Sequence, residues 1–477
     1  MLTLNGTLDM AARAMQTQMT GVQVSGQNLA NVNTQGYSRQ TVDIQTSADI
    51  STNIGMQGTG SNVVAIQQAV NTLLNSQIVS QQSTNGYWNA QQSALQSAQT
   101  GLNEFLNGTG SSSSSGSATN TTSSGLSGQL SSLFNNFQAV ATSPTSIAAR
   151  QALISQAQTV ASSFNQVDSQ LNATRTTLNT SITNGVSSAN SLLANIAQLN
   201  GQISSAELSG GTPNDLLDQR QQDLQNLAGL ANIQTSNQAN GAVEVSIGGQ
   251  TLVSGSKVTD TLQTYDASGS GSGQLMVQTV TGGVDLTLTG GSIQGTINAR
   301  DGELSTLQSS INTLASNLIT QVNGINANGY SLGGTTGTAF FTGTGSSDIG
   351  VNSALANNPS LFQASGSASA SGDNTIALQL ANLATVSQSG LNNQTFGNAY
   401  SSDVAALGNA LQTANTQVTN QTAVSNMLST QQSSVSGVNI DQEMTNLMSF
   451  QRAYEAAAQL VNTVNQMMMT VNQMKTG

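Results

Sequence analysis

The residues best suited to chemistry in this sequence are three carboxylates in the stretch TPNDLLDQRQQDLQNL, namely Asp215, Asp218 and Asp223. Paired carboxylates can act as a general acid and base or bind a metal ion. Their spacing does not match a metal-binding loop, and Pro213 just ahead of Asp215 is typical of a helix start. We therefore expect a helix terminus with a solvated acidic face, and no catalytic, cofactor-binding or metal-binding residues.

The composition removes most other chemistry. The 477-residue chain has no histidine and no cysteine, which excludes a Ser-His-Asp triad, a Cys-His pair, His-bound zinc and disulfides. We expect neither enzymatic activity nor a cofactor. Nine Lys and Arg against 21 Asp and Glu, a net charge of -12, argue against nucleic acid as a partner. No apolar run approaches the ~20 residues of a membrane span and no basic leader is visible, so these features alone favour a cytosolic protein without membrane insertion.

The two ends of the chain carry the clearest helical pattern. In the first helix, mostly apolar or small residues recur at steps of three and four, as along a coiled-coil seam: Met1, Leu4, Leu8, Ala11, Met15, Gln18, Val22, Ser25 and Leu29. The last helix repeats the spacing at Leu447, Phe450, Tyr454, Ala457, Val461, Val464, Met468 and Val471. Ten of the 13 methionines, Met19 among them, lie in these two segments. They are either ordinary helix-core residues or an adaptable surface for other copies of the chain.

A helix stop follows the first helix, in NLANVNTQGYSRQTVDI. Asn28, Asn31 and Asn33 precede Gly36, and Asn and Gly both tolerate positive φ. Alternating polar and apolar residues come next. We expect a chain reversal that leads into a β-hairpin near residues 40–66.

Between its ends the chain alternates between helical and β patterns. Long helical stretches run from about residue 67 to 233, interrupted by a low-complexity linker at 107–125. Period-two alternation with paired glycines predicts a small β-rich insert at about 234–294. Helix then returns, followed by a weakly patterned stretch at 329–397 and two closing helices. The predicted fold is mainly α with a β-rich insert: terminal helices forming an N/C coiled coil, a long-helix bundle core with the β-hairpin, and a small outer β domain.

Several motifs, in order along the chain, resemble one family. NLANVNTQGYSRQ and SGVNIDQEMTNLMSFQRAYEAAAQLVNTVNQM are similar to the terminal motifs of bacterial flagellar rod, hook and hook-associated proteins. The runs YSRQ and SGVN, with AARQALI and GSIQGTINARDGELSTLQSSINTLA inside the chain, resemble the hook–filament junction branch. Hook and rod proteins typically have Gly-Phe-Lys where this chain has Gly36-Tyr37-Ser38. Longer relatives carry a further outer domain near residues 343–351, where this chain goes directly onward.

The resemblance implies a structural adaptor of the flagellum that joins hook to filament. Residues 1–35 and 437–477 would form the inner-tube coiled coil, residues 36–233 and 295–436 the helical core, and residues 234–294 the outer β domain. The axial interface would comprise Leu4, Leu8, Met15, Met19, Val22, Leu29, Leu447, Phe450, Tyr454, Val461, Val464, Met468 and Val471. The family motif turn would comprise Asn28, Asn31, Asn33, Gly36, Tyr37, Ser38, Arg39 and Gln40.

The resemblance also implies partners and a location. The partners would be copies of the chain in a ring, the hook protein, a second junction protein (hook-associated protein 3) and a cytoplasmic export chaperone. The chaperone would cover Leu447, Phe450, Tyr454, Val461, Val464 and Met468 before the same stripe joins the polymer. Export through the flagellar secretion apparatus without a cleaved signal peptide would place the protein outside the cell, which replaces the cytosolic expectation.

Two alternatives stay open at this stage. A hook or rod subunit is disfavoured by the interior motifs. A secreted adhesin or surface enzyme with flagellin-like ends is the other alternative. A metallopeptidase insert would need H-E-x-x-H, and a carbohydrate-binding insert usually exposes aromatic residues, whereas Trp88, the only tryptophan, lies outside the β insert.

Two physical expectations accompany the hypothesis. Gln18 and Ser25 leave the N-terminal seam short of apolar area, so the terminal helices of an isolated monomer should be mobile. The β insert should be locally closed, so a short linker could replace it without loss of the helical core.

Overall fold

The computed structural model describes residues 4–52, 55–102, 125–269 and 273–476. The α-helices are α1 (Leu4–Ala30), α2 (Thr72–Leu102), α3 (Leu126–Thr142), α4 (Ile147–Leu208), α5 (Asn214–Leu230), α6 (Gly291–Ala299), α7 (Ser305–Asn326), α8 (Ser353–Asn357), α9 (Thr375–Asn382), α10 (Phe396–Ser436) and α11 (Ile440–Thr476). A π-helical turn, Arg300–Leu304, joins α6 to α7, and short 3₁₀ turns cover Pro359–Leu361 and Ser389–Leu391.

Twelve short strands, counted over the described residues, complete the secondary structure: β1 (Gln40–Thr46), β2 (Ile50–Thr52), β3 (Gly55–Gln57), β4 (Ser61–Gln68), β5 (Ile233–Asn237), β6 (Val243–Ile247), β7 (Gln250–Ser254), β8 (Lys257–Val258), β9 (Leu262–Asp266), β10 (Leu275–Thr279), β11 (Phe341–Thr342) and β12 (Gly350–Val351). The predicted linker at 107–125 lies outside the described residues except for Gly125. The predicted fold class, mainly helical with long terminal helices and small sheets, is confirmed.

The longest helix, α4, organises the larger hydrophobic core. Ser146 caps its N-terminus by accepting a hydrogen bond from the Ala149 amide, just after the predicted break at Pro144. Its 62 residues give a rod of about 90 Å. The first half of this rod packs against α2, α3 and α7, and the core that they share extends to α9 and α10.

The weakly patterned stretch at 329–397 supplies part of this core. Phe340 and Phe362 are fully buried and stack with Phe137 of α3 at centroid distances of 5.4 and 6.1 Å. The buried Arg150 of α4 donates through Nε to the Pro144 carbonyl and through Nη1 to the Phe362 carbonyl. Burial lowers the pKa of Arg150 to about 10, so the side chain stays charged at neutral pH. The stretch lacked periodicity because its order comes from contacts distant in sequence.

The β insert shares a second core with the far half of α4. The sheet β5-β6-β7-β8 is antiparallel, and its inward residues Val245 and Ile247 pack with Leu193 and Ile196 of α4. Asn200 of α4, fully buried, donates to the Val243 carbonyl and accepts from the Val243 amide at 2.7 and 3.0 Å. The expectation of a locally closed insert is therefore wrong, because its strands bury their apolar face on a helix of the core. Its C-terminal bound also shifts, since α6 begins at Gly291.

The hairpin predicted near 40–66 is formed by β1 and β4, paired from Gln40↔Gln68 to Thr46↔Ser61. It lies along α1, where the Thr17 hydroxyl donates to the Ser61 carbonyl at 3.2 Å and Gly60 approaches Met10. On its other side α1 packs against α11. The hairpin therefore packs on the terminal coil, defined as α1 with α11. The sequence-based division, which groups the hairpin with the helical core, stays a prediction.

Candidate assembly site

The motif turn, residues 28–40, is where the terminal coil meets the rest of the molecule. Asn28 is fully buried and uses its whole amide. Its Nδ2 donates to the Gln40 carbonyl and to Glu443 Oε2, at 2.8 and 3.1 Å. Its Oδ1 accepts from the Gln40 amide and from the Tyr37 hydroxyl, at 2.9 and 2.8 Å. One side chain at the end of α1 thus fixes both the turn and the start of α11.

Glu443 of α11 is the second centre of this network. Its carboxylate is 2% exposed and accepts from Arg39 Nε at 2.7 Å, while Arg39 is 20% exposed. The Arg39 amide also donates to the Ser436 carbonyl at 2.8 Å, which links the turn to the end of α10. Glu443 lies in the first turn of α11, where the helix dipole favours negative charge. The charge is therefore buried with a cation, an amide donor and a helix N-terminus around it.

The acidic stretch of α5 holds the turn from the opposite side. Asp218 accepts from the Ser38 amide and hydroxyl at 2.8 and 2.7 Å, and Asp215 accepts from Gln40 Nε2 at 3.0 Å. The expectation of a solvated acidic face is wrong for Asp218, because the motif turn covers it. Burial raises the pKa of Asp218, although the Ser38 hydrogen bonds oppose that shift.

Tyr37 completes the turn. Burial and the neighbouring carboxylates Asp215, Asp218 and Glu443 raise the pKa of Tyr37 to about 12. The phenol therefore stays protonated and remains a donor to Asn28. Gly36 has φ of +82°, a conformation that glycine adopts at little cost, as the helix-stop pattern predicted.

The other two asparagines of the motif lie at the surface side of the turn. Asn31 donates through Nδ2 to the Gln27 carbonyl and accepts from the Thr34 hydroxyl, which closes the end of α1. Asn33 is exposed. The motif therefore combines a buried node at Asn28 with local turn chemistry after it.

The turn does not pack closely against the core on every side. A cleft of about 800 Å³ lies between the turn and parts of α2, α5 and α10, and its lining is mostly amide and hydroxyl side chains such as Gln82, Gln221, Ser425 and Gln432. Two buried polar atoms on this wall, Gln221 Nε2 and Ser425 Oγ, have no protein partner. The terminal coil is thus joined to the core through a small number of defined polar contacts.

Within the terminal coil, the predicted axial residues fall into three groups by their exposure. On α11, Val464 is buried and Phe450 lies against Gly21 of α1. The half-buried members of the set are Leu4, Leu8, Met15, Val22, Leu29, Leu447, Val461 and Met468. The exposed members are Met19, Tyr454 and Val471.

The buried face of α1 differs from the heptad expectation. It consists of Ala11, Thr17, Gly21, Val24, Ser25 and Asn28. The physical reason is that α1 has two neighbours, α11 and the hairpin, whereas a heptad seam assumes one. Small residues let both neighbours approach closely, and the longer side chains flank the contact.

Neither a metal site nor a membrane-spanning helix is found among the described residues. Among them, no group of three or more His, Cys, Asp or Glu is arranged to hold a metal ion. None of the helices in the described ranges is long and apolar enough to cross a membrane.

Comparison with known proteins identifies the architecture. Residues 112–341 match the model of the flagellar hook-associated protein FlgK helical domain, and residues 429–474 match the flagellar basal body rod FlgEFG protein C-terminal model. Flagellar hook-associated protein 1 of Bacillus subtilis is 25% identical over 505 residues, covering 97% of this chain and 96% of that protein. The chain is similar to flagellar hook-associated protein 1 along almost its whole length.

Further relatives show the same resemblance. Flagellar hook-associated protein 1 of Salmonella typhimurium is 24% identical, and the alignment covers 97% of this chain and 98% of that protein. The solved structure of the flagellar hook junction protein FlgK from Burkholderia pseudomallei superposes with a TM-score of 0.62 at 19% identity, covering 76% of this chain and all of that one. That likeness concerns the fold.

The motif turn was visible in the sequence, but its partners were not. Glu443 and Gly21 were not singled out, and Asp218 was interpreted as part of a solvated acidic face. A glutamate in the first turn of α11 could have been read as a dipole or pairing residue. Nothing in a single sequence indicates that Asp218 contacts Ser38, which lies 180 residues away.

Proposed function

We propose that this chain is an axial structural subunit of the bacterial flagellum that joins hook to filament. The observation that carries the proposal is the network around Asn28 and Glu443, which ties both terminal helices to each other and to the helical core. An adaptor between two layers needs this kind of connection, because an inner coil must hold a fixed direction relative to an outer body. The full-length similarity to flagellar hook-associated protein 1 supports the same conclusion.

The terminal coil supplies a surface for other subunits. Much of α11 stays exposed, including Ile440, Met448, Leu460 and Met467. Exposed apolar patches of this kind on a soluble protein mark interaction sites. We infer that the axial interface lies on the coil and that copies of the chain form a ring through it.

Membership of the flagellum implies assembly with other flagellar components such as the hook. The proposed finer partners are the hook protein, hook-associated protein 3 as the second junction protein, and a cytoplasmic export chaperone. The proposed location is extracellular, at the hook–filament junction, after export without a cleaved signal peptide. A purely structural role, without enzymatic activity, fits this placement.

Two matched substitutions in α11 test the role of the network. Glu443→Ala leaves Arg39 and the Asn28 amide without their carboxylate, which should weaken the attachment of the coil by about 2 kcal/mol, below the value for a fully buried pair because Arg39 is partly solvated. Asp441→Ala removes an exposed carboxylate from the same helical turn and should change stability by under ~0.5 kcal/mol.

The assay is filament attachment in cells whose own junction protein is replaced by this chain, with tagged protein imaged on the flagellum. The native chain and Asp441→Ala should give a band at the hook–filament boundary and normal filaments. Glu443→Ala should give hooks with few filaments. Label along the whole filament, or in the cytosol alone, would count against the function. Normal filaments with Glu443→Ala would count against the role of the network.

A further inference from the structure

The methionines of this chain are placed in an unusual way. Among the described residues, the larger hydrophobic core contains none, and Met276 is the one methionine packed against the smaller core, at its edge. Five lie exposed on α11, with exposed fractions from 42% to 77%: Met444, Met448, Met467, Met469 and Met474. Methionine commonly fills irregular gaps in cores. Met19, Met56 and Met427 are also exposed, each alone on another element, whereas α11 carries five exposed thioethers.

The exposed methionines avoid the contact between α1 and α11. Met444 and Met448 are four residues apart and share a flank with Ile440, whereas Met467 and Met474 are seven apart and continue a row from Leu460. The helix contact itself is made by residues such as Phe450 and the buried Val464. A chemical change at the exposed sulfurs would therefore leave the coil folded and alter its outer surface.

We propose that the exposed methionines of α11 form a peroxide-reactive modification site whose oxidation blocks assembly of the folded subunit. This inference rests on the proposed function, because it takes the outer faces of α11 as subunit contacts. The reaction transfers one oxygen atom from hydrogen peroxide to the methionine sulfur. The sulfur lone pair attacks the peroxide oxygen and the O–O bond breaks. The thioether is oxidised by two electrons to a sulfoxide, and the peroxide is reduced to water.

The composition directs oxidation to these sites. The chain has no cysteine, so no thiol competes for peroxide. The sulfoxide converts a flexible apolar side chain into a polar one, and burying an unpaired polar group in a contact is unfavourable. Five such groups on one helix would oppose contact with a neighbouring subunit. A subunit already in the polymer would be protected, because its methionines would be covered.

The test uses the full-length chain treated with hydrogen peroxide. Peptide mass spectrometry follows each methionine, the melting temperature reports the fold, and co-sedimentation with hooks isolated from cells without junction protein reports assembly. We expect the five exposed methionines to oxidise before the half-buried Met468, with little change in melting temperature and loss of co-sedimentation.

Two variants control the experiment. Replacing the five methionines by leucine should give a chain that co-sediments before and after peroxide, and replacing them by glutamine should give a folded chain that fails to co-sediment without peroxide. Oxidised native chain that still co-sediments, or Met468 oxidising as fast as the five, would overturn the proposal. Untreated native chain that does not bind hooks would refute the proposed function instead, and the order of oxidation would still test the modification site.

Discussion

The close approach of Phe450 in α11 to Gly21 in α1 gives a sharp test of the terminal coil. A Cβ atom added at Gly21 would lie 2.7 Å from Cγ and Cδ1 of Phe450. Ordinary carbon–carbon contacts are about 3.5–4.0 Å, so Gly21→Ala forces the ring and the helix behind it to retreat by roughly 1 Å. Overpacking of this kind typically costs about 1–3 kcal/mol.

Gly26 in the same helix is the matched control. A Cβ at Gly26 would meet nothing within 4 Å. Replacing glycine by alanine within a helix stabilises it by up to about 1 kcal/mol, and both substitutions share that gain to a similar extent. The difference between the two variants therefore measures the clash alone. We expect Gly26→Ala to be more stable than Gly21→Ala by ~1–3 kcal/mol.

Amide hydrogen exchange of α1 is the appropriate measurement, because it reports local opening of the coil separately from unfolding of the core. A difference of ~1–3 kcal/mol corresponds to about 5- to 150-fold in exchange rate. In a Phe450→Ala background the obstacle is gone, so Gly21→Ala should become stabilising. If Gly21→Ala protected α1 as well as Gly26→Ala does in the native background, the described packing of α1 on α11 would be refuted.

Other predictions concern the turn, the stripe, the insert and pH. Tyr37→Phe should lower the free energy of unfolding by ~1 kcal/mol, because Asn28 loses a hydrogen-bond donor. The folded pKa of Tyr37, about 12, exceeds the usual 10.0, so the stability of the native protein should fall as pH rises between those values. A pH series of unfolding curves should show this fall for the native protein and not for the variant. Val464→Asp should abolish both filament attachment and chaperone binding while the exposed-face control Gln459→Asp retains them; chaperone binding that survives Val464→Asp would show that the chaperone uses another face. Replacing residues 234–294 by a short linker should expose the second half of α4 and lower the melting temperature; an unchanged melting curve would show that α4 does not need the sheet. Burial raises the pKa of Asp223, so stability should fall as pH rises just above the usual 3.8, and Asp223→Asn should flatten that part of the curve.

Short-range sequence patterns predicted the elements that are determined by interactions between residues close in sequence. The break at Pro144, the helix stop at Gly36 and the glycine-bounded strands of the insert were all visible in the sequence, since capping and turn preferences act over a few residues. The amphipathic spacing of the two terminal helices likewise indicated that they pair. These signals are short-range, and a single sequence contains them in full.

Contacts between distant segments were not predictable in the same way. The burial of Asp218 under Ser38 and of Glu443 under Arg39 joins residues 180 and 404 positions apart. Their sequence neighbours gave no sign of these partners. The heptad pattern of α1 also could not reveal the hairpin on its other side. The expectation of a locally closed insert was wrong for the same reason, because strand alternation shows that one face is buried but not what covers it.

The burial of arginine side chains affects how the association of copies of this chain depends on salt. Arg150, Arg220 and Arg300 are buried, so three of the nine positive side chains are withdrawn from the surface of a chain whose net charge is -12. Approaching copies therefore repel each other weakly and have little opposite charge to attract them. Dissolved salt shortens the range of that repulsion, to about 8 Å at 0.15 M, and leaves apolar and hydroxyl contacts intact. Rising salinity should strengthen the association of such subunits, where it would weaken one built on ion pairs.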